Sequence, residues 1–514
     1  MARLVGIYSM MNKLLIVVII VAEISRIFSI EDNPSKVFVV ELNKLLVNNK
    51  ISDDYCIDER IFCDNDQISI VNLEAVNISR FPVEIIIIKD TLKSLTITYE
   101  NLKDNIPDEI YKLTELEYLN LEGNKFSGSL SDNIKNLIKL SYLNLNGSNL
   151  SGPIPDGLYS LSRLQFLILK DNKFDGSLND NIKCLDKLSY LDLNGSSLSG
   201  SIPDGLYSLT ELEYLNLQGS KFNGGLSDKI RDMNKLLALD LSGSNLSGPI
   251  PDGLYSLTEL RYLNLQRSKF NGGLSDKIRD MNKLLSLDLS GSNISGPIPD
   301  GLYSLTELRY LNLQENRFDG GLNDKIRDLN KLLYLDLSGS NISGSIPDGL
   351  YSLTKLEYLY LMGNSINGTL SPKIGNMIRL TSLNLSFNQL SGTIPNEIGD
   401  LINLKDLEMR DNEFEGNIPD LSRLEFLVNM NISSTKHILN ASCDNKTLPP
   451  YITKNRCFIA PVNRLCNSTI HCEYSNKPVG KSSIGSMFYT PILKMVVMMI
   501  VCRGVIETER FIEG

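Results

Sequence analysis

The side chains able to do acid–base or metal chemistry are scarce. His437 and His471 carry the only imidazoles, and tryptophan is absent from all 514 residues. A serine or cysteine nucleophile needs a base beside it, yet neither a G-x-S-x-G elbow nor an H-E-x-x-H pair occurs. Gly480, Lys481 and Ser482 end like a phosphate-binding loop, but Ser475 stands where that loop needs glycine. Residues 171–176 and 315–320 begin like calcium loops, with Lys173 and Arg317 at ligand positions and no closing glutamate. The chain is therefore read as non-catalytic, without metal or other cofactor.

The cysteines suit oxidative chemistry better. Cys56 and Cys63 precede a long cysteine-poor middle, and Cys443, Cys457, Cys466 and Cys472 follow it, with Cys184 and Cys502 apart. In an oxidising compartment the first two would close a short loop, and the last four would form two bridges in one of three connectivities. Intervals of 13, 8 and 5 residues do not match a four-cysteine zinc ribbon.

Other features agree with that compartment. Lys13 precedes nine apolar residues, 14–22, too few to span about 30 Å of hydrocarbon but suited to a secretory signal, so 1–29 is expected to be removed. Asn-x-Ser/Thr sequons provide candidate glycosylation sites at Asn77, Asn149, Asn245, Asn293, Asn341, Asn431, Asn440 and Asn467. A net charge of −10 and a pI near 5.1 argue against nucleic acid as a partner, because no basic run matches a line of phosphates.

The elements that must position any binding residues come from a repeat. A Leu-x-Leu pair returns every 24 residues, its first position running from Leu95 through Leu119, Leu143 and so on to Leu407, with Val71 and Leu73 as a degenerate earlier copy. The unit reads L-x-x-L-x-L-x-x-[N/S]-x-[F/L/I]-x-G-x-[I/L], and L-S-G-x-I-P stands at residues 150–155, 198–203, 246–251 and 390–395. This pattern resembles the leucine-rich repeats, specifically the 24-residue class of plant extracellular receptors. The resemblance implies an α/β-type solenoid: a right-handed curved stack of about 15 coils with a parallel concave sheet and disulfide-stapled caps. The expected organisation is an N-terminal cap at 30–70, the solenoid at 71–430, a cysteine-containing cap at 431–480 and a tail at 481–514. Val37, Phe38, Val39, Leu42, Leu45 and Leu46 suit the apolar face of a capping helix, although the tryptophan usual in such caps is missing. Several coils carry Ser148, Ser196, Ser220, Ser244, Ser268, Ser292 or Ser340 where the class has an asparagine ladder; a hydroxyl has one donor against the amide's two, so fewer neighbours can be satisfied.

A second period of 48 residues overlies the first, because units with Phe126, Phe174, Phe222, Phe270 and Phe318 alternate with units carrying Leu150, Leu198, Leu246, Ile294 and Ile342. Residues 211–258 and 259–306 differ only as Glu213/Arg261, Gly219/Arg267, Ala238/Ser286 and Leu246/Ile294, and three of these four fall at concave positions. One concave column holds Tyr214, Tyr262, Tyr310 and Tyr334, read as rigid contact area, beside a column of Asn and Asp. Another runs Leu237, Arg261, Leu285, Arg309, Leu333, with Arg267 nearby; its guanidinium groups, about 10 Å apart, suit carboxylates of a peptide or an acidic polysaccharide.

The expected function is extracellular recognition of a protein, peptide or glycan on the concave face. A wall-associated structural or adhesive scaffold, or an inhibitor of a secreted polysaccharide hydrolase, are the alternatives. Residues 484–502 form a candidate membrane anchor, interrupted by Pro491 and Lys494. The chain is expected to be secreted or held at the cell surface, receptor-like and without a kinase.

Overall fold

The computed structural model describes residues 33–433, Leu439 and the strand Cys457–Ala460. The chain divides into two compact units, residues 1–166 and 167–514.

In the first unit the helix Pro34–Leu45 starts as its sequence dictates. Asn33 accepts the Ser35 N–H at 3.0 Å as N-cap, proline occupies the first turn, and Phe38, Val39, Leu42 and Leu45 are buried. Cys56 and Cys63 are disulfide-bonded, as expected from the sequence. The strand Ile61–Asp64 pairs antiparallel with Gln67–Glu74 and so covers the edge that the first parallel rung would expose. From there Val71, Leu95, Leu119 and Leu143 sit side by side in parallel register, one repeat apart.

The second unit continues the same design, with Leu191, Leu215, Leu239, Leu263, Leu287, Leu311, Leu335, Leu359, Leu383 and Leu407 in one buried row. Parallel pairing continues beyond Leu407, whose neighbour in the next strand is Met430. Asp406 pairs with Asn429, a 23-residue step that breaks the period, and Asn429–Ser433 pairs in turn with Cys457–Ala460. A second set of parallel strands, not foreseen from the repeat, runs beside each leucine row where Leu-Ser-Gly of one coil meets Lys-Phe-Asn of the next, as in Ser199–Ser201 with Lys221–Gly224.

The 48-residue period has a physical cause. In one kind of coil an aspartate (Asp180, Asp228, Asp276, Asp324) accepts, at 2.6 Å, the N–H of a glycine in the next coil (Gly205, Gly253, Gly301, Gly349), capping its helical turn. The other kind answers with a buried tyrosine: the hydroxyls of Tyr207, Tyr255, Tyr303 and Tyr351 accept N–H bonds from Ser227, Ser275, Asn323 and Ser371 at 3.2–3.3 Å. Each coil type thus serves the other, and neither alone closes both sides. The glycine is obligatory, since a Cβ on Gly253 would lie 2.2 Å from the Asp228 carbonyl oxygen.

Some of the serine coils keep the inter-coil bond of the asparagine. Asn316 Nδ2 donates both to Leu289 O one coil back and to Leu313 O of its own coil, whereas Ser292 Oγ reaches Leu265 O and Ser340 Oγ reaches Leu313 O, at 2.7 and 2.6 Å.

Candidate functional site

In each rung the two leucines point into the core, so the residues before, between and after them stand on the opposite, open face of the sheet. The two central columns of that face differ from expectation. Tyr214, Tyr262, Tyr310 and Tyr334 are 3%, 0%, 2% and 2% exposed, so they are packing residues and not free contact area. Two causes act together. Successive coils are spaced for ring stacking, with Tyr190–Tyr214 at 4.2 Å and Tyr310–Tyr334 at 4.5 Å, nearly parallel. Where the preceding coil carries a small residue, Ala238 or Ser286, the next tyrosine leans back over it, and Tyr262 and Tyr310 donate to Asp240 and Asp288 at 3.3 and 3.4 Å.

The Asn and Asp column between the leucines is sealed in the same way. Asp240 Oδ1 accepts from Ser242 N and Oγ at 2.9 and 2.6 Å, and Oδ2 from Asn264 Nδ2 at 2.9 Å; Asp288 repeats this with Ser290 and Asn312. Burial pushes these carboxyls up, Asp288 to about 6 and Asp192 to about 7, because removal from water penalises the charged form more than the hydrogen bonds favour it. Asp240 and Asp336 are raised for the same reason.

What stays open is the flanking column that precedes the tyrosines. Backbone hydrogen bonds run Arg261 N to Leu237 O, Leu285 N to Arg261 O, Arg309 N to Leu285 O and Leu333 N to Arg309 O, at 2.8–2.9 Å. The five residues are therefore consecutive steps of one line. Arg309 is exposed and Leu237, Arg261 and Leu333 are half-buried, while Leu285, at 9% exposure, lies lower between the two arginines. Glu213 and Glu357 close the line at its two ends, each half-buried. The tertiary structure sets the five residues of the predicted arginine column side by side and buries the tyrosines of the neighbouring column.

Arg267 lies at the other edge of the sheet, at a turn position that is glycine in most coils. It is exposed and holds a φ of +53°, where Gly219 and Gly243 have +68° and +65°. Its N–H donates to Ser290 O at 2.8 Å, so the turn must stay left-handed whatever its side chain. Glu315 and Phe387 share the conformation at +55°, and Arg410 stacks over the Phe387 ring at 4.5 Å. A bulky side chain held there costs of order 1 kcal/mol. Aligning the turn glycines by column would have marked these residues in the sequence.

Of the candidate glycosylation sites, Asn77, Asn149, Asn245, Asn293 and Asn341 are exposed and Asn431 is half-buried, with Asn440 and Asn467 outside the described residues. Cys457 lies in the terminal strand, and Cys443, Cys466 and Cys472 fall outside the description, as do the signal segment and the 484–502 window. Among the described residues no helix is long and apolar enough to cross a membrane.

Residues 299–457 match the leucine-rich repeat region, and 115–137, 139–161, 187–209, 235–257 and 283–305 each match the leucine-rich repeat. No curated protein sequence gives a significant match. Among solved structures, a TDR receptor is 27% identical with a TM-score of 0.72, covering 76% of this chain and 69% of that one. The Arabidopsis receptor kinase HAESA, crystallised with the peptide hormone IDA and the co-receptor SERK1, is 26% identical with a TM-score of 0.65 over 75% of this chain and 77% of that one. The Leptospira interrogans leucine-rich repeat protein LIC12759 is 27% identical with a TM-score of 0.60 over 72% and 90%. With its rungs in 24-residue register and its matches spread along them, this chain belongs to the leucine-rich repeat family and has the fold of the plant receptor ectodomains.

Proposed function

We propose that this chain is a non-catalytic extracellular recognition protein that binds a peptide or protein segment carrying acidic groups, along the line Leu237, Arg261, Leu285, Arg309, Leu333. The observation that carries this reading is the contrast within one face: the central columns are spent on packing, while this flank presents two guanidinium groups between leucines. Guanidinium groups hold carboxylates through paired, charge-assisted hydrogen bonds, and leucines beside them exclude water from those contacts. The Cys56–Cys63 disulfide supports an oxidising compartment. That HAESA, of similar fold, was crystallised with a peptide hormone supports a peptide as ligand.

The test is Arg261→Glu with Arg309→Glu, read by titration against an acidic peptide panel and by thermal melting. Binding should weaken by at least about tenfold, the scale of lost charge pairs, with the melt unchanged. Equal affinity in the double variant would remove the arginine line from the site.

A further inference from the structure

The flank of the second unit, where the second set of parallel strands runs, carries cations that no acid answers. Residues 195–201, 219–225, 243–249, 267–273 and 291–297 form the turn and flanking strand of five successive coils. They contain Lys221, Arg267 and Lys269 and no Asp or Glu. Acids stand at these positions on the coils to either side, as Asp171 and Asp175 and as Glu315 and Asp319. All three cations are exposed, and none makes a side-chain hydrogen bond or ion pair among the described residues. The same coils treat their other lysines differently: Lys229, Lys235, Lys277 and Lys283 each hold an acid one coil back at 2.5–2.8 Å. In a chain of net charge −10, a shortage of acids does not explain the contrast.

Arg267 adds a second observation. It occupies a left-handed turn that its sister coil fills with Gly219, at a cost of order 1 kcal/mol. Its side chain gains no hydrogen bond or ion pair among the described residues in exchange. The stem runs over the next turn, since a Cβ on Gly291 would meet Arg267 Cγ at 3.5 Å.

The ground between the cations is polar. Asn223, Asn245, Asn271 and Asn293 are exposed, their amides unpartnered among the described residues, and Ser199, Ser247 and Ser295 are half-buried. Pro249 and Pro297 add apolar surface only at the far ends of their strands. A protein partner needs an apolar core to its interface, which such ground does not offer. Cations set among amides and hydroxyls match a ligand that bears carboxylates and hydroxyls together. Lys221 and Lys269 stand two strands apart, about 10 Å, and a polymer with a carboxylate on every sugar reaches both in any register.

We propose that this flank binds a linear uronic acid polysaccharide laid across the five coils, over roughly 20 Å. Lys221, Arg267 and Lys269 hold its carboxylates, and the Asn and Ser side chains its hydroxyls. The surface is separate from the concave arginine line and does not depend on it. Asn245 and Asn293 are also sequons, so the surface is open where they carry no glycan.

The experiment therefore uses the full chain with Asn245→Gln and Asn293→Gln, titrated with an oligogalacturonate, its methyl ester and a polyglutamate of equal charge. The oligogalacturonate should bind at least about tenfold tighter than either, and less tightly as salt rises. Lys221→Gln, Arg267→Gly and Lys269→Gln together should weaken it at least about tenfold without lowering the melting temperature. Lys229→Gln, Lys277→Gln and Lys325→Gln remove the same charge from lysines already paired and should leave binding unchanged. Equal losses in the two triple variants would reduce the effect to net charge and overturn the flank site. Arg261→Glu with Arg309→Glu should also leave binding unchanged; a loss there, with the flank variant unaffected, moves the polysaccharide to the concave face. Equal binding of the methyl ester, or tighter binding of polyglutamate, overturns the acidic polysaccharide.

Discussion

Raising the pH from 5 to 8 should weaken the second unit through its row of buried carboxyls. Asp192 titrates at about 7 and Asp288 at about 6, against an ordinary value of 3.8. Asp192 is faced by Asn194, Lys170, Asp171 and Asp240, and Asp288 by Ser290, Tyr310 and Asn312. An acid whose folded value is raised binds more protons folded than unfolded between the two values. Its stabilising share is complete below about pH 4 and is lost as pH rises toward 7. At about 1.36 kcal/mol per decade of proton affinity, Asp192 and Asp288 each remove on the order of 1–3 kcal/mol between pH 5 and 8, Asp192 the more. The carboxyls held low by partners, such as Asp58 beside Arg60 and Glu84 beside Arg80, exert their effect in more acid solution. The assay is urea unfolding at pH 5 and 8 of the parent and of Asp192→Asn with Asp288→Asn. Comparing the two cancels the titration of His437 and His471. The parent should lose several kcal/mol more than the variant over that interval. An equal pH dependence in both would refute the assignment of buried, late-titrating carboxyls to this row.

Two further substitutions test the backbone argument. Gly253→Ala places a Cβ against the Asp228 carbonyl and disturbs the cap, so it should cost about 1–3 kcal/mol in chemical denaturation; Gly225→Ala, with only Ser247 O at 3.7 Å, should be near neutral, and equal losses would discredit the steric account. Arg267→Gly restores the residue of the sister coil at Gly219 and should raise stability by up to about 1 kcal/mol. A melting temperature lowered by that change would mean the Arg267 side chain contributes more than its turn costs.

Much of the architecture was legible from the leucines. Their 24-residue spacing leaves one way for neighbouring coils to share a core, and the observed register follows it through to Leu407. The next rung was hidden because its step is 23 residues. The Cys56–Cys63 bridge could be read from proximity, since a loop that short brings the sulfurs together in any compact cap. Of the candidate site, the arginine column was readable because parallel register carries equivalent positions into line. The tyrosines beside it carried no such signal. Tyr262 has the same type and spacing as an exposed paratope tyrosine, and only the closeness of the adjacent coil and the small size of Ala238 bury it.

By itself, then, the sequence determined which residues share a column and which coils are neighbours, because a fixed repeat length converts sequence separation directly into position. The tertiary structure decided which columns remain open to a ligand. Exposure depends on ring stacking and on lateral hydrogen bonds such as Tyr310 to Asp288, and these arise only between coils, not within one.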